Sequence, residues 1–258
     1  MGKTRERQLR DGRGTTLYSH KKDQDVSNTF GSYPTPEKFL SERRIELRPR
    51  NEKQRQYMDF INNKNLIIST GFAGTSKTFI PTMMAAQFLR DNVIDRIVLI
   101  RTPVSDEQSV GMLKGDLIEK TKYWLMPILD TLNKALSPTL VDYLIKREQI
   151  LCLAPEFLKG VSFSEKDFVI FDEAEDMSRS IALATVTRQG GGKLVLAGDL
   201  RQKIISRESG LPLLLDIIEK TPELQNRVGV IDFDSFDDIV RSDDCKAWVK
   251  ALVKHGYM

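Results

Sequence analysis

Six short apolar runs alternating with helical segments constrain this chain more than any other feature. The runs cover residues 66–70, 96–101, 150–153, 168–172, 193–197 and 227–233. They are rich in Val, Ile, Leu and Phe and mostly lack polar alternation. That pattern belongs to strands covered on both faces, as in a parallel sheet. Residues 79–89, 116–136, 178–189, 210–220 and 243–255 carry helix-like spacing. Ser178 is placed to N-cap its segment, Gly190-Gly191-Gly192 to end it, and Pro127 to break or kink the long segment after Asp116. The alternation predicts a doubly wound, mostly parallel α/β sheet, which takes ligands at the carboxyl ends of its strands.

Of 258 residues, 40% are hydrophobic, enough for a sizeable core and too many for a wholly disordered chain. No apolar run approaches the ~18–20 residues that span a bilayer. The first residues show no apolar stretch behind their charges, so a soluble, cytoplasmic protein is expected. Cys152 and Cys245 are the only cysteines, which excludes a disulfide framework and a multi-cysteine zinc site. His20 and His255 lie near opposite ends, away from the motif-bearing segments, so no Ser/His/Asp set assembles. Charge is uneven: residues 1–50 carry 12 Lys and Arg against 7 Asp and Glu, while the remainder is slightly acidic. Residues 1–47 therefore read as a basic, largely unstructured arm, a feature of chains that meet polyanions, and 48–258 as the folded domain.

The first core run leads directly into Gly71-Phe72-Ala73-Gly74-Thr75-Ser76-Lys77-Thr78, followed by a helical segment. This nearly fits G-x-x-x-x-G-K-[S/T] in the strand–loop–helix setting that gives the motif its meaning. Its glycines let backbone N–H groups converge on phosphate oxygens, and the helix N-terminus adds its dipole. Lys77 would reach the β- and γ-phosphates of ATP, and the Thr78 hydroxyl would ligate Mg2+. Ser76 departs from the motif, standing where it has its last glycine. If that position needs positive φ, the serine costs of order 1 kcal/mol or more.

The run at 168–172 ends in Asp172-Glu173-Ala174-Glu175. Asp172 is placed to bind the Mg2+, directly or through water, and Glu173 to orient and polarise the attacking water. The next run ends in Gly198-Asp199-Leu200-Arg201-Gln202, where the Gln202 amide is placed to sense the γ-phosphate and Asp199 either serves the site or caps a turn. An acidic pair followed by a second polar-tipped strand resembles the additional-strand class of ATPases. That likeness implies that the second strand lies between the loop strand and the acidic strand. Trp124, beside Tyr123 and Lys122, reads either as a core anchor or as a stacking surface for a base.

Together these stretches resemble the PhoH family of ATPases, over roughly residues 48–251. Residues 97–104 with Gly111-Met112-Leu113-Lys114-Gly115-Asp116-Leu117 are similar to its Arg-Pro segment and G-F-L-P-G-D-L block, with Met112 and Lys114 departing. Asp172-Glu173-Ala174-Glu175 is similar to its D-E-A-Q, with Glu175 in place of Gln, and Asp238-Ile239-Val240-Arg241 to its late V-V-R segment. The resemblance implies a RecA-like P-loop NTPase fold related to the N-terminal core of superfamily 1 helicases. It implies hydrolysis of ATP with Mg2+, with single-stranded nucleic acid, RNA foremost, as substrate. It also sets Gln54 at the adenine edge, which its amide can both donate to and accept from. Arg241 becomes the candidate arginine that reaches a neighbouring subunit's γ-phosphate in a homo-oligomeric ring, with six subunits suggested. The short, basic-armed form resembles bacteriophage members. The alternative function is a nucleotide-gated nucleic-acid-binding protein with weak or no turnover, for which Ser76 would be the signature.

Overall fold

The computed structural model describes residues 46–102, 123–201 and 209–258. Along the chain it runs α1 (Glu52–Asn63), β1 (Leu66–Gly71), α2 (Phe79–Arg90), β2 (Arg96–Arg101), α3 (Met126–Leu136), α4 (Pro138–Lys146) and β3 (Ile150–Leu153). There follow β4 (Asp167–Asp172), α5 (Arg179–Thr187), β5 (Lys193–Ala197), α6 (Gly210–Glu219), α7 (Pro222–Arg227), β6 (Val228–Phe233) and α8 (Asp243–Lys254). All six expected strands are present, and each pairing among them is parallel, in the order β3-β2-β4-β5-β1-β6. β5 lies between the loop strand β1 and the acidic strand β4, as the resemblance to the additional-strand ATPases implies.

The lack of polar alternation has a direct cause. Successive residues of the inner strands point into two separate cores, so both must be apolar. Ile97, Leu99, Phe168, Ile170 and Val195 pack with α1 to α4 on one face. Val98, Ile100, Val169, Phe171, Leu194 and Leu196 pack with α5 and α6 on the other. On the edge strands the cover loosens: Val230 and Asp232 of β6 are exposed, and Leu151, Cys152 and Leu153 of β3 are half-buried.

Ser178 caps α5 as expected, its hydroxyl accepting from the Ile181 N–H at 3.4 Å. Of the long segment predicted from Asp116, residues 116–122 lie outside the described residues. Tyr123 and Trp124 are helical, and the helix breaks at Leu125, close to the break expected at Pro127. α3 begins at Met126, and Pro127 sits in its first turn, where a missing N–H costs nothing. Three of the described helices were not among the expected segments. α4 and α7 each open on a proline after Ser137 or Thr221, a start signal on a run too short for periodicity to register. α1 is largely polar and buries only Gln54, Tyr57 and Ile61, while the Asn51 side chain caps it.

Candidate functional site

At the carboxyl ends of β1, β4 and β5, the loop 71–78 forms the floor of a cleft of about 700 Å3. The loop leaves β1 at Gly71, whose φ of 115° is closed to most side chains. A Cβ there would also collide with the Phe233 carbonyl. Its middle is held from two sides. The Val240 N–H donates to the Gly74 carbonyl at 3.0 Å, and the Thr75 hydroxyl donates to the Phe72 carbonyl at 2.9 Å. Phe72 is buried against Ile239 and Val249, stacks on Phe236 with centroids 5.1 Å apart, and carries the Arg201 guanidinium on its ring at 4.2 Å. Ser76 adopts φ 76°, so the position does require the glycine-favouring region.

Lys77 lies over this floor, its Nζ donating to the Gly71 and Phe72 carbonyls at 2.7 Å each. Burial lowers its affinity for a proton, and Asp199, Glu175, Glu173 and Asp172 oppose that shift. The Tyr57 hydroxyl donates to the Lys77 carbonyl at 2.8 Å, fixing the start of α2 from α1. Beside the lysine, the Thr78 hydroxyl donates to Asp172 Oδ1 at 2.6 Å. Burial raises the Asp172 pKa, while the Thr78 hydrogen bond and the nearby Arg101 charge hold it down. A hydroxyl and a carboxylate at this distance, both hard oxygen donors, suit Mg2+, which takes few protein ligands and completes its shell with phosphate and water. Among the described residues no group of three or more His, Cys, Asp or Glu side chains is arranged to hold a metal, so any cation here depends on such outside oxygens.

Glu173 follows Asp172 with φ 51°, a left-handed residue at the strand tip, and its carboxylate stays partly exposed. Two neighbours engage it. Arg101, at the end of β2, donates from Nη1 to Asp172 Oδ2 at 3.1 Å and from Nη2 to Glu173 Oε1 at 3.0 Å. Glu175 is buried, hydrogen-bonds to the Glu173 side chain, and keeps its Oε2 without a partner among the described residues. Burial first, then the Glu173 hydrogen bond and charge, push the Glu175 carboxyl up to about 9. From sequence, Arg101 figured only within the Arg-Pro-like segment 97–104 and Glu175 only as a departure from the family motif, and neither was given a role in the site. A charged residue ending an apolar strand was the available signal for the first, and the Glu-for-Gln departure for the second.

Gln54 lines the cleft, and backbone groups occupy both ends of its amide. Its Oε1 accepts from the Arg50 N–H at 2.9 Å and its Nε2 donates to the Thr75 carbonyl at 3.2 Å, so reading an adenine would require an exchange of bonds. Asp199 is buried at the end of β5 and accepts from the Arg201 N–H at 3.1 Å, so it caps the turn as well as facing the cleft. Gln202, Met112 and Lys114 lie outside the described residues. Arg241 lines the same chain's cleft, its Cβ beside Gly74. Among the described ion pairs it takes neither nearby acid, since Asp237 pairs with Lys246 and Asp238 with Lys53. Trp124 is half-buried and Tyr123 exposed. No helix among the described residues is long and apolar enough to cross a membrane.

Among the solved structures that resemble the chain are a phage terminase and a helicase. A large terminase from the thermophilic bacteriophage D6E matches at 12% identity and TM-score 0.46, covering 79% of this chain and 50% of the terminase. The Pif1 helicase of Candida albicans matches at 11% identity and TM-score 0.36, covering 74% and 42%. Among curated relatives, protein PhoH of Escherichia coli K12 is 33% identical over 207 residues, 78% of this chain and 57% of that protein. A PhoH-like protein of Synechocystis is 32% identical over 176 residues, 67% of this chain and 53% of its own length. A PhoH-like protein of Mycobacterium tuberculosis H37Rv is 30% identical over 189 residues, 72% of this chain and 53% of its own. The chain thus spans about half the length of the curated relatives it matches. The family described as PhoH-like protein matches residues 46–253, which take in every strand of the sheet and the whole phosphate-binding loop. With its doubly wound RecA-like P-loop NTPase fold, this chain belongs to the PhoH family.

Proposed function

We propose that the cleft binds ATP with Mg2+ and hydrolyses it in the service of single-stranded nucleic acid, with RNA the favoured strand. The observation that supports this most is the meeting at one strand end of Lys77, the Thr78–Asp172 pair and Glu173. On binding, Lys77 exchanges the loop carbonyls for β- and γ-phosphate oxygens, and loop N–H groups take the remaining phosphate charge. Thr78 and Asp172 hold the Mg2+, which when bound neutralises phosphate charge. Glu173 accepts a hydrogen bond from the attacking water and turns its lone pair toward phosphorus. Gln202 senses the γ-phosphate, and Gln54 reads the adenine by releasing its backbone partners.

Because Arg241 lines its own chain's cleft, the reading we favour is that it serves its own nucleotide. This departs from the trans role expected from sequence. A homo-oligomeric ring, with six subunits as the family resemblance suggests, is then an assembly on nucleic acid and not a condition for completing the site. Mixing Arg241→Ala with Lys77→Ala tests this. In the cis reading both variants stay inactive when mixed, despite demonstrated subunit exchange, and recovery would restore the trans role.

Support for nucleic acid is the charge of the first 50 residues, a net +5 against −2 for the rest. Residues 1–47 act as the basic arm and 48–258 as the ATPase domain, in the cytoplasm. The test is phosphate release from Mg-ATP with RNA, single-stranded DNA or duplex added. Magnesium-dependent release stimulated most by RNA is expected. Tight ATP binding with no release would select the nucleotide-gated binder, a reading favoured by the strained Ser76.

A further inference from the structure

Arg101 is the one cation that reaches both carboxylates at the tip of β4 among the described ion pairs. We infer that Arg101 is a positioning residue for Glu173, setting the orientation from which that carboxylate addresses water. The inference rests on the proposed role of Glu173 and extends it to a residue on another strand.

Three observations carry it. Arg101 and Asp172 are register partners on the neighbouring parallel strands β2 and β4, so the sheet itself delivers the guanidinium to the carboxylates. The guanidinium spans them as a fork, one nitrogen to Asp172 Oδ2 and the other to Glu173 Oε1. Asp172 uses its other oxygen for Thr78, so the fork and the proposed metal side occupy different oxygens of one carboxylate. Glu173 has need of such a hold. Its backbone is left-handed and its side chain is 39% exposed, so packing alone leaves the carboxylate free to change rotamer. Arg101 is 24% exposed and Asp172 8%, which shields that arm of the fork from the screening that weakens surface pairs and anchors the guanidinium beside the more exposed Glu173. A planar guanidinium bridges two carboxylates at fixed spacing, and a lysine ammonium cannot reproduce that fork.

The test compares Arg101→Ala and Arg101→Lys with wild type, measuring kcat for phosphate release, ATP affinity and thermal melting in parallel. Arg101→Ala is expected to lower kcat by about tenfold to a hundredfold while ATP affinity stays within about twofold, the signature of a misplaced reacting group. Arg101→Lys should recover part of the loss, and added guanidinium ion at non-denaturing concentration should recover part of it in Arg101→Ala. In a Glu173→Gln background, Arg101→Ala should cost nothing further, because the group it positions is already gone. Unchanged or raised kcat in Arg101→Ala overturns the inference, as does full activity in Arg101→Lys. Loss of ATP affinity matching the loss of kcat/KM at constant kcat also overturns it, and makes Arg101 a binding residue. If Arg101→Ala does not fold, Arg101→Lys decides alone. If wild type itself releases no phosphate, the role of Glu173 falls first and takes this inference with it.

Discussion

Ser76 sits at φ 76°, in the region where side chains other than glycine are strained, at the tightest point of the phosphate loop. Ser76→Gly relieves of order 1 kcal/mol of that strain, partly offset by the extra freedom glycine gives the unfolded chain. ATP affinity or turnover should therefore rise by a few-fold, measured by nucleotide titration and phosphate release. A large loss in both would mean that the serine hydroxyl makes a contact of its own with the nucleotide.

Glu175 makes a second prediction at this scale. Its folded pKa of about 9 lies above its ordinary value of 4.5, so between those limits the folded state binds more protons than the unfolded state. Stability from this residue therefore falls as pH rises through that window. Glu175→Gln keeps the shape of the neutral acid and cannot ionise. Its melting temperature should exceed that of wild type by a margin that widens from pH 5 to pH 8, by about 2–4 °C for each kcal/mol. A margin that does not change with pH would show that Glu175 is ionised in the folded protein.

Among the elements, α8 supports the loop from outside. Val249 is buried with Phe72 and Ile239, and α8 brings Cys245 against Gly74. Val249→Ala removes packing worth about 2 kcal/mol and loosens Phe72, the second residue of the loop. Chemical denaturation should show that loss, and nucleotide affinity should fall several-fold with it. A drop in stability with unchanged affinity would make α8 a cover without influence on the loop.

The elements also show what the sequence could convey. Strands buried on both faces announce themselves by composition alone, which is why the inner strands were legible, with Lys77, Asp172 and Glu173 at or just beyond their ends. The edge strands β3 and β6 are less covered, but their runs stay mostly apolar. Helix α1 was not legible, because it fully buries only three residues, one of them a glutamine, while most of its other positions are exposed. The fork of Arg101 was not legible either. It depends on the register of β2 against β4, a relation between segments some 70 residues apart that no local pattern encodes. The place of Arg241 in its own chain's cleft is non-local in the same way, following from the pairing of Val240 with Gly74.

At the scale of the molecule, the domain and the basic arm divide the proposed work. Deleting residues 1–36 should leave nucleotide turnover without nucleic acid unchanged. It should weaken RNA binding and flatten its dependence on salt, because the slope falls by about 0.7 for every single-strand phosphate that the arm ceases to neutralise. Binding titrations from low to moderate salt measure this, and an unchanged slope would leave the arm without a part in binding.

The central claim is that one cleft binds ATP through Lys77 and cleaves it through Glu173. Phosphate release and ATP affinity, measured together on wild type, Lys77→Ala and Glu173→Gln, test it most directly. Lys77→Ala should lose nucleotide binding, because its ammonium, seated on the loop carbonyls, is the charge that meets the phosphates. Glu173→Gln should bind ATP as wild type does and release phosphate at least about a hundredfold more slowly. Turnover in Glu173→Gln equal to that of wild type would contradict the account.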